Sequence, residues 1–287
     1  MIDYLFLLGA ICCSAFLSIT ATVFNKMNKT GKNFSGLYNL IVTLSSFAVW
    51  TVVYLKDASF SPLVLLYSFV FGIFYVSAFI GLFKAMGCGS ASLTSFIKQL
   101  SLILVALWGL VFWNNPISVT VSVGLALVLV SLWFCFKPSR ADKTSVKWFI
   151  FSAVLLIGNA GCSIVQKYQQ IRFNGEHGGL LMFGATASSV LFCLILYLRG
   201  DRPKISDMPR FSLPLPIIAG ISSAMLNVFV LRLIASHLSE SVFFPVIGVG
   251  GITLTTLFSV GVYKERLTAS KWIGLAIGIV AIVFLNI

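Results

Sequence analysis

The sequence predicts an all-α integral membrane protein of about ten transmembrane helices, arranged as two inverted five-helix repeats. Three observations predict it. The chain is 59% hydrophobic and only 10% charged, where a soluble domain carries roughly 25% charged residues. Its apolar residues gather into about ten runs of membrane-spanning length. The second half also echoes the first, at a nearly constant offset.

The runs lie near 2–24, 34–55, 62–83, 90–113, 117–136, 148–168, 178–198, 212–235, 240–262 and 268–286. In lipid every backbone N–H and C=O needs an internal partner, so only helices or closed barrels span it. These runs are too long and continuous for barrel strands, so they are helices. The breaks carry turn chemistry: Asn28-Lys29-Thr30-Gly31, Lys56-Asp57, Asn115-Pro116, Lys137-Pro138-Ser139, Asn174-Gly175 and Asp201-Arg202-Pro203. Such short connections make consecutive helices antiparallel neighbours.

The repeat is read from paired segments. Gly124-Leu125-Ala126 recurs as Gly274-Leu275-Ala276, an offset of 150 (274 − 124). The same offset pairs Ile97 with Ile247 and Leu104 with Leu254, and it sets Lys98 opposite Gly248. It also pairs two polar breaks, Trp113-Asn114-Asn115-Pro116 and Tyr263-Lys264-Glu265-Arg266. Earlier in each half the offset is 143 (179 − 36): Gly36-Leu37, Thr43, Ser45-Ser46 and Tyr54-Leu55 match Gly179-Leu180, Thr186, Ser188-Ser189 and Tyr197-Leu198. The halves are therefore 1–139 and 140–287. Five helices is an odd number, so the second half enters the membrane upside down. That is the design of many secondary transporters, whose solute site lies between the halves near the midplane.

The net charge of +12 does not mark a nucleic-acid binder, because the basic residues sit in short gaps between apolar runs. Fifteen of the twenty lysines and arginines, from Lys26 to Lys271, fall in the gaps after odd-numbered runs. The positive-inside rule puts those gaps in the cytoplasm of a cell (inner or plasma) membrane and both termini outside. The six cysteines lie in or beside apolar runs, none as C-x-x-C, and read as small buried hydrophobes. The N-terminus lacks a basic n-region, so the first run is not expected to be a signal peptide. Neither a metal nor another cofactor is expected. No G-x-S-x-G, H-E-x-x-H or P-loop occurs, so an enzyme reading has no positive support.

Lys98 is the basic residue that fits no gap. It stands eight residues into its helix, roughly 12 Å from the end at about 1.5 Å per residue. A lysine so deep costs about 2.5–3.5 kcal/mol to insert, so it faces a cavity and has a partner. The functional reading is a cation for a solute carboxylate or phosphate; the alternative is a lysine that reaches a polar rim or a backbone carbonyl. No Asp or Glu lies deep in a run, which argues against a carboxylate-driven proton antiporter and for an exchanger or facilitator. Polar stripes run along several helices: Ser14, Ser18, Thr22 and Asn25 in the first, and Asn39, Thr43, Ser46 and Trp50 in the second. Asn159, Ser163 and Gln166 form one in the sixth, and Ser223 and Asn227 in the eighth. The small hydroxyls serve helix packing, whereas Asn159, Gln166 and Asn227 carry more hydrogen-bonding capacity than packing uses. Tyr75 and Trp108 are candidates to stack on a planar solute or simply to line the cavity. Pro245, Gly248, Gly250 and Gly251 weaken the ninth helix, as a hinge or as a site of close packing. His237, in a loop near Glu240, reads as solvated.

The arrangement resembles the drug/metabolite transporter superfamily, EamA-type branch. The motif that carries the likeness is Phe244-Pro245 through Gly251, then Tyr263-Lys264-Glu265-Arg266-Leu267, Trp272-Ile273-Gly274 and the apolar end Ala281 to Asn286. It is similar also to the four-helix small multidrug resistance proteins, but Ser14 stands where those carry a membrane glutamate. The resemblance implies alternating access around a cavity lined by the first, third, fourth, sixth, eighth and ninth helices. Phosphate-carrying relatives use basic residues in both the fourth and ninth helices; here Lys98 has only Gly248 opposite. One lysine suits a singly charged or zwitterionic metabolite. The expectation is a secondary transporter of a small organic metabolite, an amino acid among the candidates, working as a monomer or homodimer in the bilayer. The alternatives are a carrier for sugars, nucleobases or quaternary amines, or a non-transporting membrane receptor or scaffold.

Overall fold

The computed structural model describes residues 2–28, 33–56, 58–89, 91–113, 118–136, 145–208, 210–236, 238, 240–263 and 269–285. Ten α-helices lie among them: α1 (Ile2–Met27), α2 (Ser35–Lys56), α3 (Pro62–Cys88), α4 (Ala91–Phe112), α5 (Val119–Phe136), α6 (Val146–Arg172), α7 (Gly178–Arg199), α8 (Pro214–Ile234), α9 (Glu240–Tyr263) and α10 (Ala269–Leu285). A 3₁₀ turn, Ile205–Asp207, precedes α8. No strand occurs among the described residues. Seven helices are long and apolar enough to cross a membrane: α1, α2, α3, α6, α7, α8 and the Val242–Val262 part of α9. The protein is an all-α, membrane-embedded chain.

Local chemistry sets the helix ends. Pro62 and Pro214 open α3 and α8 in the first turn, where a missing N–H costs nothing. The Ser145 hydroxyl caps α6 by accepting from the Trp148 N–H at 3.2 Å. The expected break at Asn174-Gly175 is a tight turn with both residues at positive φ, 48° and 84°. α3 runs on to Cys88, past the expected end at residue 83. Its extra turn is held because Lys84 lays its ammonium 5.1 Å from the Phe151 ring centroid on α6. The expected breaks at 29–31, Asp57, 114–116, 137–139 and 264–266, and also His237, lie outside the described residues.

Small residues decide how the helices meet. At Gly81 of α3 an added methyl would stand 2.6 Å from the Leu155 backbone nitrogen, and at Gly158 of α6 it would stand 2.7 Å from that of Ala78. The α3 and α6 backbones touch at both points, and the sequence order shows them antiparallel. Lipid tails offer no hydrophobic drive between helices, so such close packing supplies much of the adhesion. α2 and α7 meet in a second antiparallel pair. Gly36 of α2 lies 3.3 Å, Cβ position to Cα, from Tyr197 of α7, and Gly179 of α7 lies 3.8 Å from Tyr54 of α2. α5 and α10 form a third, tied by Ser131 Oγ to the Gly274 carbonyl at 2.6 Å and Ser270 Oγ to the Phe134 carbonyl at 2.8 Å.

The larger contacts recur with every helix number shifted by five. α3 packs on α6 as α8 packs on α1; α3 on α7 as α8 on α2; α1 on α9 as α6 on α4. The pairs α2–α7, α4–α9 and α5–α10 map onto themselves. The buried side chains form two main clusters. One spans α1, α2, α3, α6, α7 and α8 and includes Phe24, Tyr38, Phe71 and Leu181. The other centres on α9 with Phe243, Phe244 and Ile247 and reaches α5 and α10. Large apolar side chains such as Leu5, Leu66, Ile157 and Leu191 stay exposed, as a lipid-facing surface requires.

Gly158→Ala is expected to cost about 1–3 kcal/mol by overpacking α6 against α3. Gly261→Ala, with nothing within 4 Å of the added methyl, should leave stability unchanged or slightly higher. Thermal unfolding of the two variants in detergent measures both; equal midpoints would refute the close-contact account.

Candidate functional site

The central cavity lies at the seam between the two clusters. It is lined by α1, α3 and α4 of the first half and by α6, α8 and α9 of the second, and holds about 730 Å³ of atom-free space counted out to its mouth. Most of its wall is apolar, with Leu17, Phe79, Leu82, Leu155, Phe244 and Ile247.

Lys98 is the one charged side chain among the described lining residues. It is 3% exposed. Its ammonium reaches across from α4 to α1, donating to the Ser14 carbonyl at 2.7 Å, the Ser14 hydroxyl at 3.1 Å and the Ser18 hydroxyl at 3.4 Å. An ammonium has three protons to donate, and α1 supplies three oxygens. The backbone beneath Lys98 is held from the other side. Asn159 of α6 donates from Nδ2 to the Ser101 hydroxyl at 2.5 Å and to the Lys98 carbonyl at 3.3 Å. The Ser101 hydroxyl in turn donates to the Lys98 carbonyl at 2.5 Å. α1, α4 and α6 are thus tied through one residue.

The second polar knot is Tyr75. Its hydroxyl sits between Ser46 Oγ of α2, at 3.0 Å, and Ser223 Oγ of α8, at 2.8 Å. One turn on, Asn227 Nδ2 donates to the Ser223 carbonyl at 2.9 Å. The Tyr75 ring packs edge-on against Phe79, centroids 4.6 Å apart. Gln166 is different: it lines the cavity, is 1% exposed, and its Nε2 has no partner. A buried donor left unmade costs about 1–3 kcal/mol, so this amide is poised for something that enters the cavity.

Six of the sequence candidates, Ser14, Tyr75, Lys98, Asn159, Gln166 and Asn227, line this one space. Trp108 does not. It is half-buried and stacks on Phe112, centroids 4.2 Å apart, and its place on α4 lies about 80° round the helix from Lys98. Pro245 lies inside a continuous α9, so the chain is not broken there. Pro245, Gly248 and Gly251 are buried, and Gly250 meets α1, where an added methyl would stand 2.8 Å from Ile11 Cγ2. Ser101 and Ser46 escaped sequence reasoning as site residues. Ser101 is three residues after Lys98 on the same helix, a spacing that places both on one face and could have found it. Among the described residues no group of three or more His, Cys, Asp or Glu side chains could hold a metal.

No family model and no curated protein matches this sequence. Solved structures share the fold, among them a crystal structure with a TM-score of 0.69 at 15% identity, over 99% of this chain and 96% of the other. At that identity the likeness speaks for fold alone.

Gln166→Leu removes the unpaired amide at similar volume. It is expected to raise thermal stability by about 1–3 kcal/mol, read as a higher unfolding midpoint in detergent. A lower midpoint would show that the amide is already satisfied.

Proposed function

We propose that this chain is a secondary transporter that moves a small carboxylate-bearing metabolite, an amino acid foremost, by alternating access around the central cavity. In this reading all ten helices cross the membrane, as two inverted five-helix repeats of the EamA type, 1–139 and 140–287. The observation that carries it is Lys98, a lone ammonium buried in a mostly apolar cavity walled by three helices from each half.

The repeat relation is supported by contacts between matched residues. Gly36 and Gly179 are repeat partners, and so are Tyr54 and Tyr197. Gly36 meets Tyr197 while Gly179 meets Tyr54. A reciprocal contact of this kind is the mark of a two-fold relation. Because α2 and α7 are antiparallel, its axis lies across the helices, that is, in the plane of a membrane they span. The halves are then inverted, and the cavity between them can be exposed to either side in turn.

Lys98 also supplies a coupling. Its ammonium is engaged by α1, at Ser14 and Ser18. A solute carboxylate carries a full negative charge, and in a low-dielectric cavity its attraction for the ammonium exceeds that of a hydroxyl or carbonyl dipole. Binding therefore draws Lys98 off the α1 backbone and frees α1 to move against α4. Gln166 and Asn227, across the cavity, take the rest of the solute. A single lysine balances one negative charge, which disfavours a multiply charged phosphate ester. The basic residues after odd-numbered helices place that end in the cytoplasm of the cell membrane, with both termini outside.

Reconstitution in liposomes with a panel of labelled metabolites tests the reading. Uptake of neutral amino acids is expected, with Lys98→Ala lowering it by at least about ten-fold, or ~1.4 kcal/mol. Unchanged uptake by Lys98→Ala would remove the lysine from the mechanism. Uptake confined to sugars, nucleobases or quaternary amines would favour those cargoes, and none at all would favour a receptor or scaffold. Tags at the two termini should both be reached by antibody on intact cells; a protected tag reverses the orientation.

A further inference from the structure

Between the central cavity and the basic end of the bundle lie two further spaces. A small one, between α1, α2, α3 and α8, shares Leu17, Phe79 and Leu82 with the central cavity. It shares Asn39 with a larger hollow of about 660 Å³ of atom-free space, set between the start of α2, the end of α3, the end of α7 and the loop that follows. Asn39 is the joint between them. It is 1% exposed, and neither its Nδ2 nor its Oδ1 has a partner. Apart from the Tyr38 hydroxyl the rest of the joint is apolar, with Ala21, Val42, Phe83 and Ala219 beside the three shared residues.

A carboxamide can make four hydrogen bonds. Leaving both ends unmade in an apolar wall is among the costlier arrangements a buried side chain can have. Leucine would fill the same space at no such cost. The outer hollow carries both signs of charge, Lys84 and Arg202 with Asp201. Its cations are only lightly engaged: Lys84 over the Phe151 ring at 5.1 Å, and Arg202 through Nε to the Leu198 carbonyl at 2.6 Å. A wall with both signs suits a molecule with both signs, and an unbonded amide offers an acceptor to an ammonium and a donor to a carboxylate.

Resting on the transport reading above, we infer that the hollow between α2, α3 and α7 is a second binding site for the zwitterionic solute. The solute passes between it and the central cavity alongside Asn39. Lys98 and Gln166 hold it inside; Lys84, Arg202 and Asp201 hold it at the basic end; Asn39 is the polar contact between the two.

Two measurements on the full chain in liposomes test this. In the first, Asn39→Cys protein in the inside-out fraction of the liposomes, which turns the basic end outward, is treated from outside with sulfonatoethyl methanethiosulfonate, which does not cross membranes. Modification is read peptide by peptide against native Cys88, which is exposed at the same end of α3. Residue 39 is expected to reach at least about one-third of the Cys88 level, and a saturating neutral amino acid should slow it several-fold by occupying the site. Modification below about one-tenth of Cys88, with amino acid uptake intact, overturns the second site while leaving transport standing. Modified residue 39 without uptake of any solute overturns the transport reading instead. In the second measurement Asn39→Leu should raise the unfolding midpoint and lower amino acid uptake at least about ten-fold. Folded Asn39→Leu protein that takes up amino acids at the unsubstituted rate overturns the proposal.

Discussion

An ammonium buried in an apolar bundle has to find oxygen, and in this protein it finds it on another helix. Lys98 belongs to α4, yet its three hydrogen bonds all end on Ser14 and Ser18 of α1. The main chain behind it is gripped by Asn159 of α6. Water would satisfy such a group anywhere on a soluble surface; inside a membrane only the protein can. The need to satisfy one charge therefore fixes the relation of three helices and keeps a polar spot at the centre of an otherwise apolar seam.

The rest of the architecture keeps that seam open on purpose at few points and closed elsewhere. Glycines let α3 and α6 touch at Gly81 and Gly158, and serines tie α5 to α10. These contacts are made without bulky side chains, because between helices in lipid the gain comes from close approach and short hydrogen bonds. Bulk returns around the cavity, where Phe79, Leu82, Leu155 and Phe244 face one another. The unbonded Gln166 Nε2 sits in this region, and both unbonded ends of Asn39 lie at the joint with the hollow between α2, α3 and α7.

Much of this was legible residue by residue. Lys98 stood out because its depth left it no route to water. Asn159, Gln166 and Asn227 stood out because an amide has more capacity than helix packing uses. The Gly36–Gly179 and Tyr54–Tyr197 matches were visible as a repeat, and in the structure those residues meet crosswise. Trp108 was misplaced. Nothing in its neighbours says which face of α4 turns inward except the position of Lys98 ten residues earlier, and ten residues is not a whole number of turns. Asn39 was read as part of a polar stripe with Thr43, Ser46 and Trp50. Thr43 does bond back to the Asn39 carbonyl, at 3.0 Å, and Ser46 bonds Tyr75 at 3.0 Å, but the Asn39 side chain bonds neither.

Composition and spacing by themselves determined that the chain is helical and that it lives in a membrane. Those properties follow from hydropathy and from local backbone chemistry, each decided within a few residues. Only the tertiary structure decided that Lys98 spends its charge on Ser14 and Ser18, that Trp108 stays out of the cavity lining, and that Asn39 stands unbonded between two spaces. Each of these depends on which helix lies opposite and at what height. That choice is made by contacts between residues far apart in the sequence, and no periodicity along a single helix records it.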